Sequence, residues 1–283
     1  MVLVPVTVTD HTGKTITGLQ AKDFNIFEDQ SAQQIASFAT EDAPSSVGLV
    51  LDVSGSMQTT MGVVKDSARA FVKTANIEDE FLLLTFSTLP ADRSEFTNDT
   101  AALEESIART RPGGFTALID TVYLGLNQMR KARNPQRALV IVSDGMENHS
   151  QYSRRELLDL ALEADVQIYA IIIDNGAGSS SSGTMPFRPS LAMKPGDQAA
   201  RNQQGPNLLE QLADKTGGLY FHARNDAQAK EGMLKVGQAL RNEYMIGYQP
   251  ADSPDLSGKW HRIRVKSTVP KVNVHARSGY YAP

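Results

Sequence analysis

The sequence predicts an α/β protein whose doubly wound, mostly parallel sheet is inserted into a small antiparallel β-sandwich formed by the two chain ends. Two observations predict the α/β part, the apolar runs that are typical of buried strands and the apolar stripes that are typical of helices. Between residues 47 and 243, short runs that are apolar on both faces alternate with segments that carry one apolar stripe at helical spacing. A third observation predicts the sandwich, because both chain ends show the two-residue alternation that is typical of antiparallel strands.

The parallel strands are predicted from apolar runs that are bounded by polar or turn-forming residues. Each run is apolar on both faces, as a strand covered by helices on both sides must be. The predicted strands cover residues 47–51, 81–86, 138–142 and 166–173.

The helices between these strands are predicted from apolar spacing and from capping residues. Ser153 and Glu156 form a capping box, in which a hydroxyl and a carboxylate bond free backbone N–H groups at the start of a helix. Asn207 is expected to cap a later helix, and Gly217 is expected to end it in the left-handed conformation. The predicted helices cover residues 60–75, 117–131, 154–163, 208–215 and 226–243.

The two chain ends are predicted to fold together. Neither end has enough strands to bury its own apolar side, so the economical solution is that both pair into one sandwich. The sequence therefore predicts a composite domain of residues 1–42 and 244–283, with residues 43–243 as the inserted domain. The expected strands of the sandwich cover residues 2–8, 24–27, 35–38, 244–248, 261–266 and 272–276.

Composition excludes several functional classes. The 283 residues contain 28 Lys and Arg against 32 Asp and Glu, and they lack a long basic stretch, which argues against nucleic-acid binding. The absence of cysteine excludes disulfide scaffolds, cysteine-ligated zinc and thiol nucleophiles. The sequence contains no run of about 18 apolar residues, so it predicts no transmembrane segment. The first residues have the pattern of a strand and not that of a signal peptide.

Polar residues with oxygen ligands follow two of the predicted parallel strands. Asp52, Ser54 and Ser56 lie on one tight loop after the first strand, Thr116 lies on a glycine-containing loop, and Asp144 ends the strand at 138–142. Because the carboxyl ends of parallel strands meet at one edge of a sheet, we expect these side chains to converge there.

Such a set of ligands favours a hard divalent cation, Mg²⁺ or Mn²⁺. Two carboxylates only neutralise a divalent ion, and neutral hydroxyls supply the other protein ligands. The ion would then stay electrophilic enough to accept a carboxylate from another molecule, which a site with three or four acidic groups would repel.

The pattern Asp52-x-Ser54-x-Ser56, with Thr116 and Asp144, resembles the metal-ion-dependent adhesion site of von Willebrand factor A domains, which have a Rossmann-like fold. The resemblance extends over about residues 43–243. It implies a non-enzymatic module that captures an Asp or Glu of a partner protein through the metal ion, in a secreted, periplasmic or cell-surface location. In the family's pattern the two serines and the threonine ligate directly, and the two aspartates act largely through water.

The flanking segments are similar to those of a bacterial subfamily of these proteins, on the basis of Gly18-Leu19, Asp23-Phe24, Gly247-Tyr248 and Gly279-Tyr280. The chain departs from the best-known members in a Gly-, Ser- and Pro-rich segment at 175–206, which is predicted to be a flexible loop. Because this segment leaves the end of a predicted parallel strand, we expect it to border the ligand surface.

The main alternative is an enzyme, a metal-assisted hydrolase that uses the same ion to activate water. That reaction needs a general base, and His149 is the only histidine close in sequence to Asp144. Asp120 is interpreted as a charge at a helix start, and Glu147 as part of an ordinary polar loop. The identity of the partner and the oligomeric state stay open.

Overall fold

The computed structural model describes residues 1–40, 42–86, 95–113, 117–147, 150–174, 204–250 and 258–282. These residues form one parallel sheet with helices on both faces and two antiparallel sheets that share an apolar core. The predicted fold class, a doubly wound α/β unit combined with antiparallel sheets from the chain ends, is confirmed.

The secondary-structure elements are numbered in chain order within the described residues. The strands are β1 (Val2–Thr9), β2 (Phe24–Glu28), β3 (Ser31–Gln33), β4 (Ile35–Thr40), β5 (Ser45–Asp52), β6 (Glu80–Phe86), β7 (Gln136–Ser143), β8 (Gln167–Ile173), β9 (Tyr220–Ala223), β10 (Tyr244–Tyr248), β11 (Trp260–Ser267), β12 (Asn273–Ala276) and β13 (Gly279–Tyr281). The α-helices are α1 (Met61–Val72), α2 (Thr100–Arg109), α3 (Leu118–Gln128), α4 (Arg154–Glu163), α5 (Gln204–Thr216) and α6 (Asp226–Arg241).

The parallel sheet has the strand order β6-β5-β7-β8-β9, and every neighbouring pair is parallel. Strand β5 lies inside the sheet and is buried at all of its positions. Its alternate side chains enter two cores: Leu49 packs in the layer of α1, α2 and α6, and Val50 packs in the layer of α3, α4 and α5. A strand covered on both faces needs apolar residues at both parities, which explains its uninterrupted apolar run.

The sequence patterns did not predict every element. Strand β9 is a short strand at the edge of the sheet, where Tyr220 and His222 are exposed, so it lacks the apolar run of the inner strands. Helix α2 was also not predicted, although the sequence contains a capping residue for it. Asp99 caps the helix by accepting the backbone N–H of Ala102 at 2.9 Å. Edge position and short length account for the weak pattern of β9.

The sandwich consists of the sheets β12-β1-β10-β4 and β13-β11-β2-β3, and all of their pairings are antiparallel. Alternating valines of β1 and the tyrosines of β10 meet Phe24, Ile26 and Ile263 of the other sheet in one core. The two chain ends therefore supply strands to both sheets. Strands β4 and β10 are neighbours, so the chain leaves the sandwich and returns to it at adjacent positions.

A charged cluster joins the segments that lead out of the sandwich and back into it. Arg241, at the end of α6, forms ion pairs with the buried Asp79 and with Asp42. Asp79 also accepts the backbone N–H of Ser45 at 2.8 Å. Because Asp42 precedes the parallel sheet, Ser45 is its first residue and Arg241 follows its last strand, this cluster fixes both connections against each other.

Of the two helix starts predicted from capping residues, one is correct and one is wrong. The capping box of Ser153 and Glu156 is present at the start of α4, as predicted. Helix α5 begins at Gln204, so the predicted cap at Asn207 is wrong, and that side chain instead accepts hydrogen bonds from Arg154 and Gln211. The last residues of the predicted loop at 175–206 are consequently helical, and residues 175–203 lie outside the described part of the chain.

Gly217 ends α5 with a φ of 85°, in the left-handed region as predicted. A Cβ atom at this position would lie 2.6 Å from the backbone nitrogen of Arg277 in the sandwich. The glycine therefore permits both the end of the helix and its close approach to the chain end. Among the helices that the structure describes, none is both long enough and apolar enough to cross a lipid bilayer.

Glu243 is a buried carboxylate at the junction between α6 and β10. Its two oxygens accept hydrogen bonds from Gln136 at 2.7 Å and from the Tyr169 hydroxyl at 3.2 Å. Burial raises the pKa of Glu243 to about 7, although these hydrogen bonds oppose the increase. Because Glu243 directly precedes β10, its side chain connects the start of that strand to strands β7 and β8 of the parallel sheet.

The Glu243→Gln variant should lose less stability than the wild-type protein as the pH rises. The folded protein holds the proton of Glu243 more tightly than the unfolded chain, because its pKa of about 7 lies above the ordinary value of 4.5. This contribution to stability is complete below about pH 4.5 and is lost as the pH rises through about 7. Denaturant unfolding at about pH 5 and about pH 8 should show a difference between the two proteins on the order of 2 kcal/mol.

The matched control is Glu163→Gln, which changes an exposed glutamate at the end of α4. It should leave the wild-type pH dependence unchanged. An equal loss of stability in Glu243→Gln and the wild-type protein over this range would contradict the prediction.

Candidate metal centre

The structure brings four of the five predicted ligands to the carboxyl edge of the parallel sheet. Asp52 is the last residue of β5, and Asp144 directly follows β7, its hydrogen-bonded neighbour. Ser54 and Ser56 lie on the loop after β5. The fifth residue, Thr116, lies outside the described residues.

The loop after β5 is organised by its own polar groups. The backbone N–H of Ser54 donates to Oδ1 of Asp52 at 2.9 Å, and the hydroxyl oxygens of Ser54 and Ser56 are 2.9 Å apart. A short 3₁₀ turn at Gly55–Met57 follows, in which Met57 is buried in the core. The loop therefore places two neutral hydroxyl oxygens beside a carboxylate.

Asp52 is completely buried at the edge of the sheet. Burial raises its pKa to about 6, and the nearby charge of Asp144 also raises it, whereas hydrogen bonds from Ser143 and Ser54 lower it. Both of these serine partners are uncharged. A cation at this edge would favour the ionised carboxylate, so the environment of Asp52 fits a metal ion.

Ser143 is a residue at the candidate site that the sequence interpretation missed. Its hydroxyl donates to Oδ2 of Asp52 at 2.6 Å and accepts the backbone N–H of Gly145 at 2.9 Å. Ser143 thus orients Asp52 and also fixes the turn that carries Asp144. The available signal was a polar residue at the last, buried position of a strand, directly after five apolar residues.

The segments on both sides of Thr116 are anchored close to the site. Before it, the backbone N–H of Gly113 donates to the carbonyl oxygen of Val53 at 2.7 Å. After it, the backbone N–H of Ile119 donates to Oε2 of Glu147 at 2.9 Å. The segment before residue 114 is therefore attached to the loop of Asp52, and the segment after residue 116 is attached to the loop of Asp144.

Asp120 and Glu147 have structural partners. Asp120 accepts the backbone N–H groups of Gln151 and Tyr152 at 2.9 and 3.0 Å, in the first turn of α3. Glu147 accepts the N–H and the hydroxyl of Ser150 at 2.9 and 2.8 Å. The interpretation of Asp120 as a helix-start charge agrees with these contacts. His149 lies outside the described residues.

Comparison with known proteins supports the architecture. Residues 47–147 match the von Willebrand factor type A domain family. A von Willebrand factor type A structure from Catenulispora acidiphila has a TM-score of 0.54 at 13% identity and covers 94% of this chain and 65% of its own. The vWF domain of the type V pili tip protein Mfa5 from Porphyromonas gingivalis has a TM-score of 0.53 at 15% identity and covers 77% of this chain and 100% of its own. At these identities the likeness establishes the fold.

Integrin alpha-1 from Gallus gallus is 26% identical over 202 residues, which are 65% of this chain and 62% of the integrin. A second curated relative, a protein of Borreliella burgdorferi, is 25% identical over 117 residues, and the chain spans 32% of its length. Von Willebrand factor A domains are often adhesion or protein-interaction modules, and residues 47–147 of this chain match that family.

The Ser143→Ala variant should destabilise the protein by about 1–3 kcal/mol, because a buried carboxylate and a buried N–H each lose a hydrogen-bond partner. Denaturant unfolding measures this loss. Ser67→Ala is the matched control, since Ser67 is equally buried and its hydroxyl donates to a carbonyl oxygen of its own helix, that of Val63 at 2.7 Å. Equal stability losses in the two variants would show that Ser143 does not support the site.

Proposed function

From the von Willebrand factor type A domain at residues 47–147, we propose that this protein is a non-enzymatic, metal-dependent protein-binding module of the adhesion type. A divalent cation, Mg²⁺ or Mn²⁺, would be held by the residues of the predicted site, which are Asp52, Ser54, Ser56, Thr116 and Asp144. The observation that carries the proposal is the placement of Asp52, with its two loop serines, beside Asp144 at one sheet edge.

The chemistry of the ligands supports the choice of ion. All of them are oxygen atoms, which suit a hard cation, and only two carry negative charge. The bound ion would supply a Lewis-acidic position for a carboxylate of the partner. An Asp or Glu side chain of another protein is therefore the proposed ligand.

The residues of this chain hold the site in place before a partner arrives. Ser143 and the N–H of Ser54 fix the two oxygens of Asp52, so little side-chain ordering remains to be done on binding. The N–H of Met146 donates to Oδ1 of Asp144 at 3.0 Å and helps to fix the second carboxylate. Preorganisation of this kind favours tight binding of the partner's carboxylate.

The contacts around the site favour binding over catalysis. A hydrolase needs a general base that can accept a proton from water. Asp120, in the first turn of α3, and Glu147, on the loop after Asp144, accept backbone N–H groups instead. The proposal therefore assigns no catalytic residue.

The same proposal includes a location outside the cytoplasm: the protein is proposed to be secreted, periplasmic or attached to the cell surface. Support comes from the names of similar proteins, which include a pilus tip protein, an integrin and an aerotolerance-related membrane protein. These names describe those proteins, and their partners are not assigned to this chain.

Asp52→Ala should abolish measurable Mg²⁺ uptake, because it removes the central carboxylate of the proposed site. Isothermal titration calorimetry on the full chain, after treatment with a chelator, measures the uptake. Asp66→Ala is the matched control, since Asp66 is an exposed aspartate on α1 that pairs with Lys230 at 3.5 Å. We expect the control to bind Mg²⁺ like the wild-type protein.

Partner capture provides the functional test. A protein retained by the immobilised wild-type chain in Mg²⁺ should be released by chelator, lost with Asp52→Ala and kept with Asp66→Ala. The proposal fails if the wild-type chain takes up neither Mg²⁺ nor Mn²⁺, or if Asp52→Ala binds both ions normally.

A further inference from the structure

A second group of metal-ligating side chains lies in the β-sandwich, away from the parallel sheet. Glu28 ends β2, Asp29 follows it, and His261 lies near the start of β11. Nδ1 of His261 is 2.8 Å from Oδ2 of Asp29 and 3.4 Å from Oε1 of Glu28. One nitrogen and two carboxylate oxygens thus converge from two strands.

Backbone pairing fixes this arrangement. Strands β2 and β11 are antiparallel, with Glu28 opposite Ile263. Beyond that pair, the N–H of Asp29 donates to the carbonyl oxygen of Arg262 at 3.0 Å, and the N–H of Arg262 donates to Oδ1 of Asp29 at 2.9 Å. Oδ1 is therefore occupied, and Oδ2 is the oxygen that faces His261.

The charges of the cluster favour a cation. Glu28 and His261 are only 7% and 4% exposed, so burial makes an uncompensated carboxylate costly. Within the described part of the chain, His261 is the ion-pair partner of both Glu28 and Asp29. The Tyr280 hydroxyl donates to Oε2 of Glu28 at a long distance of 3.4 Å. The cluster therefore sets two carboxyl groups against one imidazole.

The distances match a small transition-metal ion. Ligand atoms at about 2.0–2.1 Å from a tetrahedral zinc ion lie roughly 3.3 Å from one another. The nitrogen and the two carboxylate oxygens all lie within 4.8 Å of one another, and two of their separations are 2.8 and 3.4 Å. Small side-chain rotations would bring all three into coordination. The side chain of Asp29 is 52% exposed, which leaves a path from solvent.

We propose that Glu28, Asp29 and His261 form a transition-metal site, with Zn²⁺ as the best-suited ion and water as the remaining ligand. Imidazole nitrogen with carboxylate oxygen suits Zn²⁺, whereas Mg²⁺ prefers oxygen ligands alone. The site would connect β2 to β11 across one sheet of the sandwich. It is independent of the proposed adhesion site, which lies on the parallel sheet and uses only oxygen ligands.

The test is Zn²⁺ titration of the full chain carrying Asp52→Ala, so that the proposed adhesion site makes no contribution. After treatment with a chelator, calorimetry should show one Zn²⁺ ion bound per chain and a higher melting temperature on addition of Zn²⁺. Excess Mg²⁺ should not displace the Zn²⁺. No uptake of Zn²⁺ by this protein would overturn the proposal.

Two further substitutions keep the test independent of folding. Asp29→Asn preserves the shape and the acceptor oxygen for Arg262, and His261→Gln removes the nitrogen ligand; each should weaken Zn²⁺ binding at least tenfold. His275→Gln is the matched control, because this part-buried sandwich histidine bonds Thr9 and belongs to no described acidic cluster. Unchanged Zn²⁺ affinity in Asp29→Asn, with native circular dichroism, would also overturn the proposal, as would a loss of binding in His275→Gln alone.

Discussion

The burial of Asp52 is the constraint on which the candidate site depends. A carboxylate at the end of an inner strand loses most of its hydration, and a second carboxylate, Asp144, follows the neighbouring strand. Hydrogen bonds from Ser54 and Ser143 offset part of this cost but leave the pKa of Asp52 raised to about 6. Because burial disfavours the ionised form of Asp52, a cation bound beside it would stabilise that form. This stabilisation links the fold to the proposed adhesion function.

The sandwich determines how the α/β unit is held. Because β4 and β10 are neighbours, the chain leaves and re-enters the sandwich at one place, and the ion pairs of Arg241 close that place. Glu243 lies directly after this cluster and contacts strands β7 and β8 through Gln136 and Tyr169. The amino ends of the parallel strands are thus attached to the sandwich, while their carboxyl ends are left for the proposed metal site.

The two proposed metal sites differ in chemistry in a way that follows from their ligands. The edge of the parallel sheet offers hydroxyl and carboxylate oxygens, which suit a hard ion that exchanges ligands readily. The cluster in the sandwich adds the nitrogen of His261 and buries Glu28, which suits a zinc ion held for stability. In these two proposals, the type of ligand alone distinguishes a metal for binding from a metal for stability.

The sequence by itself determined the fold class and most of the strands, and it named five candidate ligands. Local periodicity reports which faces of a segment are buried, and the pattern of Asp52, Ser54 and Ser56 is contained in one short loop. The sequence did not predict β9, because this edge strand lacks an apolar run. It also did not predict the start of α5 correctly, because the helix begins at Gln204 and Asn207 does not cap it.

Only the tertiary structure decided which distant groups meet. Ser143 reaches Asp52 across 91 positions of sequence, and His261 reaches Asp29 across 232. Such contacts depend on strand pairing and on the total burial of the folded chain, and no local period records either of them. For the same reason the candidate ligands within one loop could be named from the sequence, whereas Ser143, which bonds Asp52, and the cluster in the sandwich were found only in the folded molecule.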